Sequence, residues 1–351
     1  MRLLMTGATG MLGQELLPLL LKHKHVITAI SRSAQKSNHK NLTYVTGNIT
    51  QENFGNPSIQ SNTYDAVLHC AALTSLRQRS KDDLLIANLL GTQNIVHYCL
   101  EHSINRLFHV STAYVCGNRT GTIKETDLVC EQQFKNPYEE SKYFAETYIH
   151  KFPELNTTIF RPGVIVGRHK DGHAAFFEGF YRPIRAIIAA HSFAEQKLKL
   201  PRREKLESAL HLPILKLPIR MYGDPESELA LTPVDWTAST IAELIEHPEN
   251  KTYHIVPNKS LTLKLVLEAI CEVLSIQGYH VGAGPTRNPL DMFYNRMIRD
   301  FRPYLQNQPT FETSVGHTCP VLDKEFIKKI VAYWRMNEIN QQEVTEYAKQ
   351  R

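Results

Sequence analysis

The chain has 351 residues, 42% hydrophobic and 21% charged, with a formal net charge of +5. That length suits one large α/β domain or a core domain with a smaller companion, and the ordinary composition excludes wholesale disorder. The mild positive charge fits an anionic small substrate or an acidic carrier protein, whereas the dense basic stripe with stacking aromatics that nucleic-acid binding requires is missing.

The first strand reads as Arg2–Met5, an apolar run broken only by Arg2. It leads into Thr6-Gly-Ala-Thr-Gly-Met-Leu-Gly13 and then a helical segment, Gln14–Lys22. In such a strand–turn–helix, Gly7 permits a tight turn with unusual φ and Gly10 lets the backbone approach a pyrophosphate. Gly13 lets the helix pack close to the strand. Phosphates would then sit on the free N–H groups and positive end of the helix. The same glycines interrupt the apolar N-terminal stretch, and no cleavage site follows, so it does not read as a signal peptide. No apolar run approaches the roughly 18–20 residues of a membrane span.

Further strands are expected at Val26–Ile30, Leu42–Val45, Ala66–Cys70, Arg106–Val110 and Thr157–Arg161. Helical patterns fall at Asp82–Glu101 and Tyr138–Lys151. The alternation predicts a parallel sheet with helices on both faces and ligands beyond the carboxyl ends of the strands. The second strand ends in Ile30-Ser-Arg-Ser33, with no carboxylate for a ribose 2′-hydroxyl. Arg32 can instead pair bidentately with a 2′-phosphate, and Ser31 or Ser33 can add a hydrogen bond. The expected cofactor is NADP(H), with NAD(H) the second choice. Tyr138-Glu-Glu-Ser-Lys142 sets a phenol and an ammonium four apart on one helical face, where the lysine can lower the phenol pKa for proton transfer.

After Gly167 the texture changes. Residues 168–230 hold an aromatic-rich helical stretch (Ala174 to Ala194) and a basic run (Lys197, Lys199, Arg202, Arg203, Lys205). They look like an insertion that builds a substrate pocket or lid. The basic run has two readings, a solvated helix face or an attractor for coenzyme A phosphates or an acidic carrier. Phe176, Phe177, Phe180 and Tyr181 likewise suit a packed core or an acyl channel. Pro233-Val-Asp-Trp236 opens a helix with Asp235 as its N-cap, Thr252–Val256 reads as a strand, and Thr262–Ile276 as an amphipathic helix. Residues 285–351 are mostly helical and charged and are expected to cap the site. Six scattered cysteines (Cys70, Cys99, Cys116, Cys130, Cys271, Cys319) without a C-x-x-C pair read as free thiols, giving an expected cytoplasmic location. No metal-ligand motif occurs among the 16 histidines.

Together these features resemble an extended short-chain dehydrogenase/reductase. The resemblance rests on the TGATGMLG turn, His69-Cys-Ala-Ala72, Asn88-Leu-Leu-Gly-Thr92, Ser111-Thr-Ala-Tyr-Val115, Tyr138-x-x-x-Lys142 and Arg161-Pro-Gly163. It is good over residues 1–167 and weaker beyond. FHVSTAYVCG (108–117), NPYEESKYFAE (136–146), FRPGVIVG (160–167), GDPESELALTPVDW (223–236) and RPYLQNQPTFET (302–313) resemble the thioester reductase and fatty acyl-CoA reductase branch more than the sugar-nucleotide epimerases.

The resemblance implies a Rossmann-type doubly wound parallel sheet over residues 1–167 and about 232–257. A smaller, mostly helical substrate-binding region would comprise 168–231 and 258–351. It implies Tyr138 as general acid, Lys142 on the nicotinamide ribose and Thr112 hydrogen-bonded to the reacting oxygen, with Ser111 the competing candidate. The two donors at the oxygen would supply a few kcal/mol to the transition state. Implied cofactor contacts come from Thr6, Gly7, Thr9, Gly10, Met11, Leu12, Gly13, Ser31, Arg32, Asn48, Ile49, Cys70, Ala71, Ala72, Asn88, Tyr138, Lys142, Pro162, Gly163 and Val164. Plainer roles stand beside these: Thr112 as a strand residue, Lys142 as a solvated lysine paired to Glu139 or Glu146, and Asn88 as a bridge between backbone groups. The implied activity is NADPH-dependent reduction of an acyl thioester, on coenzyme A or an acyl carrier protein, to an aldehyde or alcohol. A dehydrogenase or epimerase of a sugar nucleotide, steroid or other alcohol is the second reading. A non-catalytic NADP-binding sensor is the third, disfavoured by the retained tyrosine–lysine pair. A homodimer is allowed but not specified.

Overall fold

The alternating apolar runs assemble into one parallel sheet in a computed structural model, which describes residues 1–59, 63–74, 80–129, 132–197, 215–284, 288–306 and 308–349. Its strands are β1 (Arg2–Thr6), β2 (Val26–Ser31), β3 (Leu42–Thr46), β4 (Ala66–His69), β5 (Arg106–Val110), β6 (Asn156–Pro162) and β7 (Thr252–Ile255). The spatial order is β3-β2-β1-β4-β5-β6-β7, and every pairing is parallel. The order reverses between β1 and β4, which opens the crevice where doubly wound sheets bind nucleotides.

Central strands are apolar because both faces are covered. Leu3 and Met5 of β1 face a layer that includes α1 (Met11–Lys22) and α5 (Val234–Glu246), with Leu16, Leu20 and Ile241 in the same cluster. Leu4 points the other way, toward Ile95, Val96 and Cys99 of α3 (Gly91–Glu101) and Ile149 of α4 (Pro137–Ile149). β3, at the sheet edge, alternates half-buried and exposed residues instead.

Several elements depart from the sequence expectation. The helix expected over Asp82–Glu101 is interrupted by a π turn, Ile86–Leu90, between α2 (Lys81–Leu85) and α3. Such bulges insert a residue to re-aim a side chain, here that of Asn88. Asp235 is not an N-cap: α5 starts two residues earlier than that cap would set it, Pro233 is the cap, and the Asp235 carboxylate accepts from Trp236 N at 3.0 Å. The aromatic stretch becomes helical only from Tyr181 to Lys197, beyond Gly179, whose φ of 55° breaks the helix before it can begin at 174. The helix expected over Thr262–Ile276 spans Leu263–Leu274, capped by the Thr262 hydroxyl and stopped by Ser275 in the left-handed region.

The chain divides into two units, one of Met1–Ile165, Thr232–Asn258 and Pro309–Cys319, the other of Val166–Leu231, Lys259–Gln308 and Pro320–Arg351. Residues 285–351 are thus shared between the units, because Thr310–Phe311 adds a short parallel pairing to Thr122–Ile123 of the first. Within the second unit, strands Leu215–Tyr222 and Ile276–Gly282 pair in parallel. Helix Leu263–Leu274 packs on Lys324–Lys349, and Pro289–Met297 packs on Tyr181–Lys197. Tyr181 is a packing residue there, its hydroxyl accepting from Gly167 N at 3.0 Å, whereas Phe176 is exposed. Cys130 and the basic run from Lys199 to Lys205 lie outside the described residues. Among the described residues no helix is long and apolar enough to cross a membrane, and Cys70, Cys99, Cys116, Cys271 and Cys319 are free thiols.

Candidate active site

Parallel pairing brings six segments to one edge of the sheet. Thr6–Gly13 follows β1, Ser31–Arg32 ends β2, Asn48–Ile49 follows β3, Cys70–Ala72 follows β4, Ser111–Thr112 follows β5, and Pro162–Val164 ends β6. The glycine turn is sterically specified. Gly7 has φ 77°, and a Cβ there would meet Ala71 N at 2.6 Å, so the β4 segment passes directly against it. A Cβ on Gly13 would lie 2.1 Å from Gly7 O, which forces glycine where α1 crosses the turn. At Gly10 the protein offers only Gly7 O at 3.2 Å. Gly10 is the α1 N-cap and makes no side-chain cap, so the first N–H groups, those of Met11 and Leu12 included, are left for a ligand. The Thr9 carbonyl accepts from Gln14 Nε2 at 2.9 Å, which fixes the turn from outside.

Ser31 is buried, while Arg32 is exposed and has no ion-pair partner among the described residues. Asn48 spends its side-chain oxygen on Thr50 N (3.1 Å) and Thr50 Oγ1 (3.0 Å), which leaves its amide for a ligand. Ile49 packs against Gly91, where a Cβ would be 2.8 Å from its Cδ1.

Tyr138 and Lys142 project from the first turns of α4, which Asn136 caps by accepting from Glu139 N at 3.0 Å. The short 3-10 turn Ala113–Cys116, capped by Thr112, packs against α4. Lys142 is 1% exposed, not solvated, and Nζ donates to Val110 O at 2.6 Å. An ammonium has three donors, and the other two have no protein partner among the described residues. Burial lowers its pKa to about 8, against the pull of Glu146 and Cys70.

The phenol departs from expectation. Burial, reinforced by the Glu139 carboxylate, holds the Tyr138 pKa above its ordinary value rather than below it. Lys142 has turned to a backbone carbonyl, and the nearest charge in the sequence, Glu139, is fully buried and repels a phenolate. The phenol of Tyr138 is therefore protonated at neutral pH. The Thr112 hydroxyl accepts from Tyr114 N at 3.3 Å and makes only a long 3.5 Å contact to Pro162 O, so its proton is loosely held. Ser111 Oγ is buried and has no hydrogen-bond partner among the described residues.

A network that sequence reasoning did not assemble supports these groups. The Thr92 hydroxyl donates to Asn88 O at 2.6 Å, so at 3.3 Å from His69 Nε2 it must accept. That fixes His69 as the Nε2–H tautomer, with Nδ1 accepting from the Thr6 hydroxyl at 2.8 Å. Burial and the charge of Lys142 lower the His69 pKa to about 3, so the ring stays neutral. Asn88 closes a ring with Leu73, accepting from its N at 2.7 Å and donating to its O at 3.0 Å. It also donates to Ser141 Oγ at 2.9 Å, which in turn donates to Tyr138 O at 2.7 Å. The bridging role of Asn88 is what the geometry shows; its side chain is fully engaged with protein. The signal was a hydroxyl or imidazole at four motif positions, meaningful only once β1, β4, α3 and α4 are adjacent.

Beneath α4, Arg161 forks onto Glu146 through Nε and Nη2 (2.6–3.1 Å), and its Nη1 donates to Glu125 O and Asp127 O. The Glu125 carboxylate holds His254 N, Ser314 N and the Ser314 hydroxyl.

In the free protein Lys142 loses its proton as pH rises through about 8. Dinucleotide affinity is expected to fall by about tenfold over that range, the worth of a charge-assisted hydrogen bond. Fluorescence titration between pH 6.5 and 9.5 checks this, and a Lys142→Met variant should show no such step.

Residues 3–197, more than half of the chain, match the NAD dependent epimerase/dehydratase family. The chain belongs to that family. It is thereby an NAD(P)-dependent enzyme of the extended short-chain type, and its cofactor is a nicotinamide dinucleotide. It is 28% identical to a 2-alkyl-3-oxoalkanoate reductase of Stenotrophomonas maltophilia (strain K279a) over 175 residues, 48% of this chain and 52% of that one. The chain spans about half the length of the curated relatives it matches. In structure it is similar to the terminal R domain of the myxalamid PKS-NRPS biosynthetic pathway (TM-score 0.73, 20% identity, covering 94% of this chain and 89% of that one). It is also similar to a thiolation-reductase di-domain from an archaeal non-ribosomal peptide synthetase (TM-score 0.71, 18% identity, 96% and 76%). The glycine cradle, the uncapped α1 terminus and the two unpartnered donors of Lys142 suit the phosphates and ribose of such a cofactor.

Proposed function

We propose that the protein is an NADPH-dependent reductase of acyl thioesters. The observation that supports a reductase reading is the buried Lys142 ammonium, with two donors left over, on the helix that carries Tyr138 and beside the turn that Thr112 caps; the protonated phenol can give a proton to an oxygen. NADPH over NADH rests on exposed Arg32 in a segment without a carboxylate. The thioester rests on the motif wording and on likeness to two reductase-type domains of carrier-linked assembly lines.

A bound reduced nicotinamide supplies the hydride. Thr112, with its loosely held proton, hydrogen-bonds the thioester carbonyl oxygen, and Tyr138 protonates that oxygen as the carbon is reduced. Lys142 binds the ribose hydroxyls with the donors that Val110 O leaves over. The resulting hemithioacetal expels the thiol, giving an aldehyde, and solvent returns the proton to Tyr138. A second round on the aldehyde gives the alcohol.

Purified protein should oxidise NADPH, followed at the nicotinamide absorbance band, when given acyl-CoA or acyl-carrier thioesters. No oxidation with any thioester or aldehyde across chain lengths would rule the proposal out. The family's other chemistry, conversion of a nucleotide sugar with tightly retained NAD, is the second reading, favoured by the family match alone. Arg32→Asp is expected to weaken NADPH by about 10–100-fold, as loss of a hydrogen-bonded charge pair does, and NADH far less. Equal losses for both would place the 2′-phosphate elsewhere.

A further inference from the structure

The second unit carries a cavity of about 800 Å³ with an unbalanced charge. Arg296 on helix Pro289–Met297 and Arg299 and Arg302 on the 3-10 turn Arg299–Tyr304 line it together with Tyr222 and Phe293. The spacing of three sets the guanidiniums on one side of the helical path. All three are exposed. Arg302 lies over the Tyr222 ring at 4.4 Å, Arg299 reaches Asp300 only at 3.6 Å, and Arg296 has no ion-pair partner among the described residues. Among the described residues no carboxylate lines the cavity.

Its floor is rigid. Asn295 accepts from Tyr222 N and donates to Arg220 O and Asp291 O, all at 2.8 Å, tying helix to strand. One wall is apolar: Met292 is 60% exposed, and Phe293 is braced by Phe193 at 4.3 Å between ring centroids. The other large cavity of this unit, about 950 Å³, has no such surplus, because its Lys324 is paired with Glu268 and Glu272.

Three like charges around one hollow repel, and planar guanidinium forks match phosphate oxygens bidentately. A hollow of this size suits a small molecule rather than the face of a carrier protein. We propose that it binds the 3′-phosphoadenosine diphosphate end of coenzyme A, whose three phosphate groups meet three arginines while the apolar wall takes the base or the start of the pantetheine arm. This rests on the thioester reading and names its carrier: the substrate arrives as an acyl-CoA.

Calorimetric titration of the whole protein with coenzyme A, dephospho-coenzyme A and UDP-glucose tests it, in the native chain and in Arg296→Glu/Arg299→Glu, with circular dichroism confirming the fold. Coenzyme A should bind, weaken several-fold without its 3′-phosphate, weaken at least tenfold in the double variant, and weaken with added salt. In turnover, the KM for an acyl-CoA should rise in Arg296→Gln far more than that for the phosphate-free acyl-N-acetylcysteamine thioester. Absent coenzyme A binding, equal affinity in native and variant chains, or preference for UDP-glucose would overturn the site. If the phosphate-free thioester is reduced and the acyl-CoA KM does not respond, the site fails while the thioester reading stands. If coenzyme A binding depends on the arginines but no thioester is reduced, the site stands and the thioester reading fails.

Discussion

Tyr138→Phe is expected to lower kcat for thioester reduction by about 10²–10⁴-fold, the usual worth of a positioned general acid, with cofactor affinity little changed. The reason lies in the surroundings of the phenol. Burial and fully buried Glu139 hold its pKa above the ordinary value, so in the proposed mechanism it gives up its proton only as negative charge builds on the substrate oxygen. The residue is half-buried, and phenylalanine keeps the ring while removing the proton. Stopped-flow hydride transfer and equilibrium dinucleotide binding, measured on the same preparation, separate the two effects. Unchanged turnover in the variant would mean the acid lies elsewhere, with Ser111 or Thr112 through water the next candidates.

The largest expected effect on stability is Glu146→Ala. Arg161 is 1% exposed and Glu146 0%, and the fork between them is the only ion pair of this guanidinium among the described residues. Removing the carboxylate strands a buried cation, which typically costs 3–5 kcal/mol, whereas replacing both partners by apolar residues of similar volume is often neutral. Urea unfolding should therefore show a loss of about 3–5 kcal/mol for Glu146→Ala, mostly recovered in Glu146→Leu/Arg161→Met. A single-variant loss under about 1 kcal/mol would show that the pair is not buried as described. Glu146 also favours the charged form of Lys142 from one turn away, so the folded single variant should lose dinucleotide affinity at a lower pH than the native chain.

Much of the frame was legible because its signals are local. Leu3, Leu4 and Met5 can only be a strand covered on both sides, and the Gly7–Gly13 spacing encodes a turn whose alternatives clash. The misread boundaries are local in a subtler sense: Gly179 delays a helix that the aromatic pattern starts at 174, and α5 begins on Val234 ahead of Asp235. What the chain did not disclose is tertiary. The i, i+4 spacing of Tyr138 and Lys142 suggests a depressed phenol, but Lys142 turns to Val110 O, and the buried charge of Glu139 opposes a phenolate. The Thr6–His69–Thr92–Asn88–Ser141 chain spans five elements and has no periodicity to betray it. The grouping of Arg296, Arg299 and Arg302 around one cavity with Tyr222 needed the helix to be laid against its strand.

The most direct test of hydride delivery to a thioester is isotopic. NADPH deuterated at the nicotinamide C4 position should pass its label to C1 of the aldehyde or alcohol formed from an acyl-CoA, with one free thiol released for each thioester reduced. Mass spectrometry showing no labelled product from any acyl thioester, alongside conversion of a nucleotide sugar by the same protein, would contradict it.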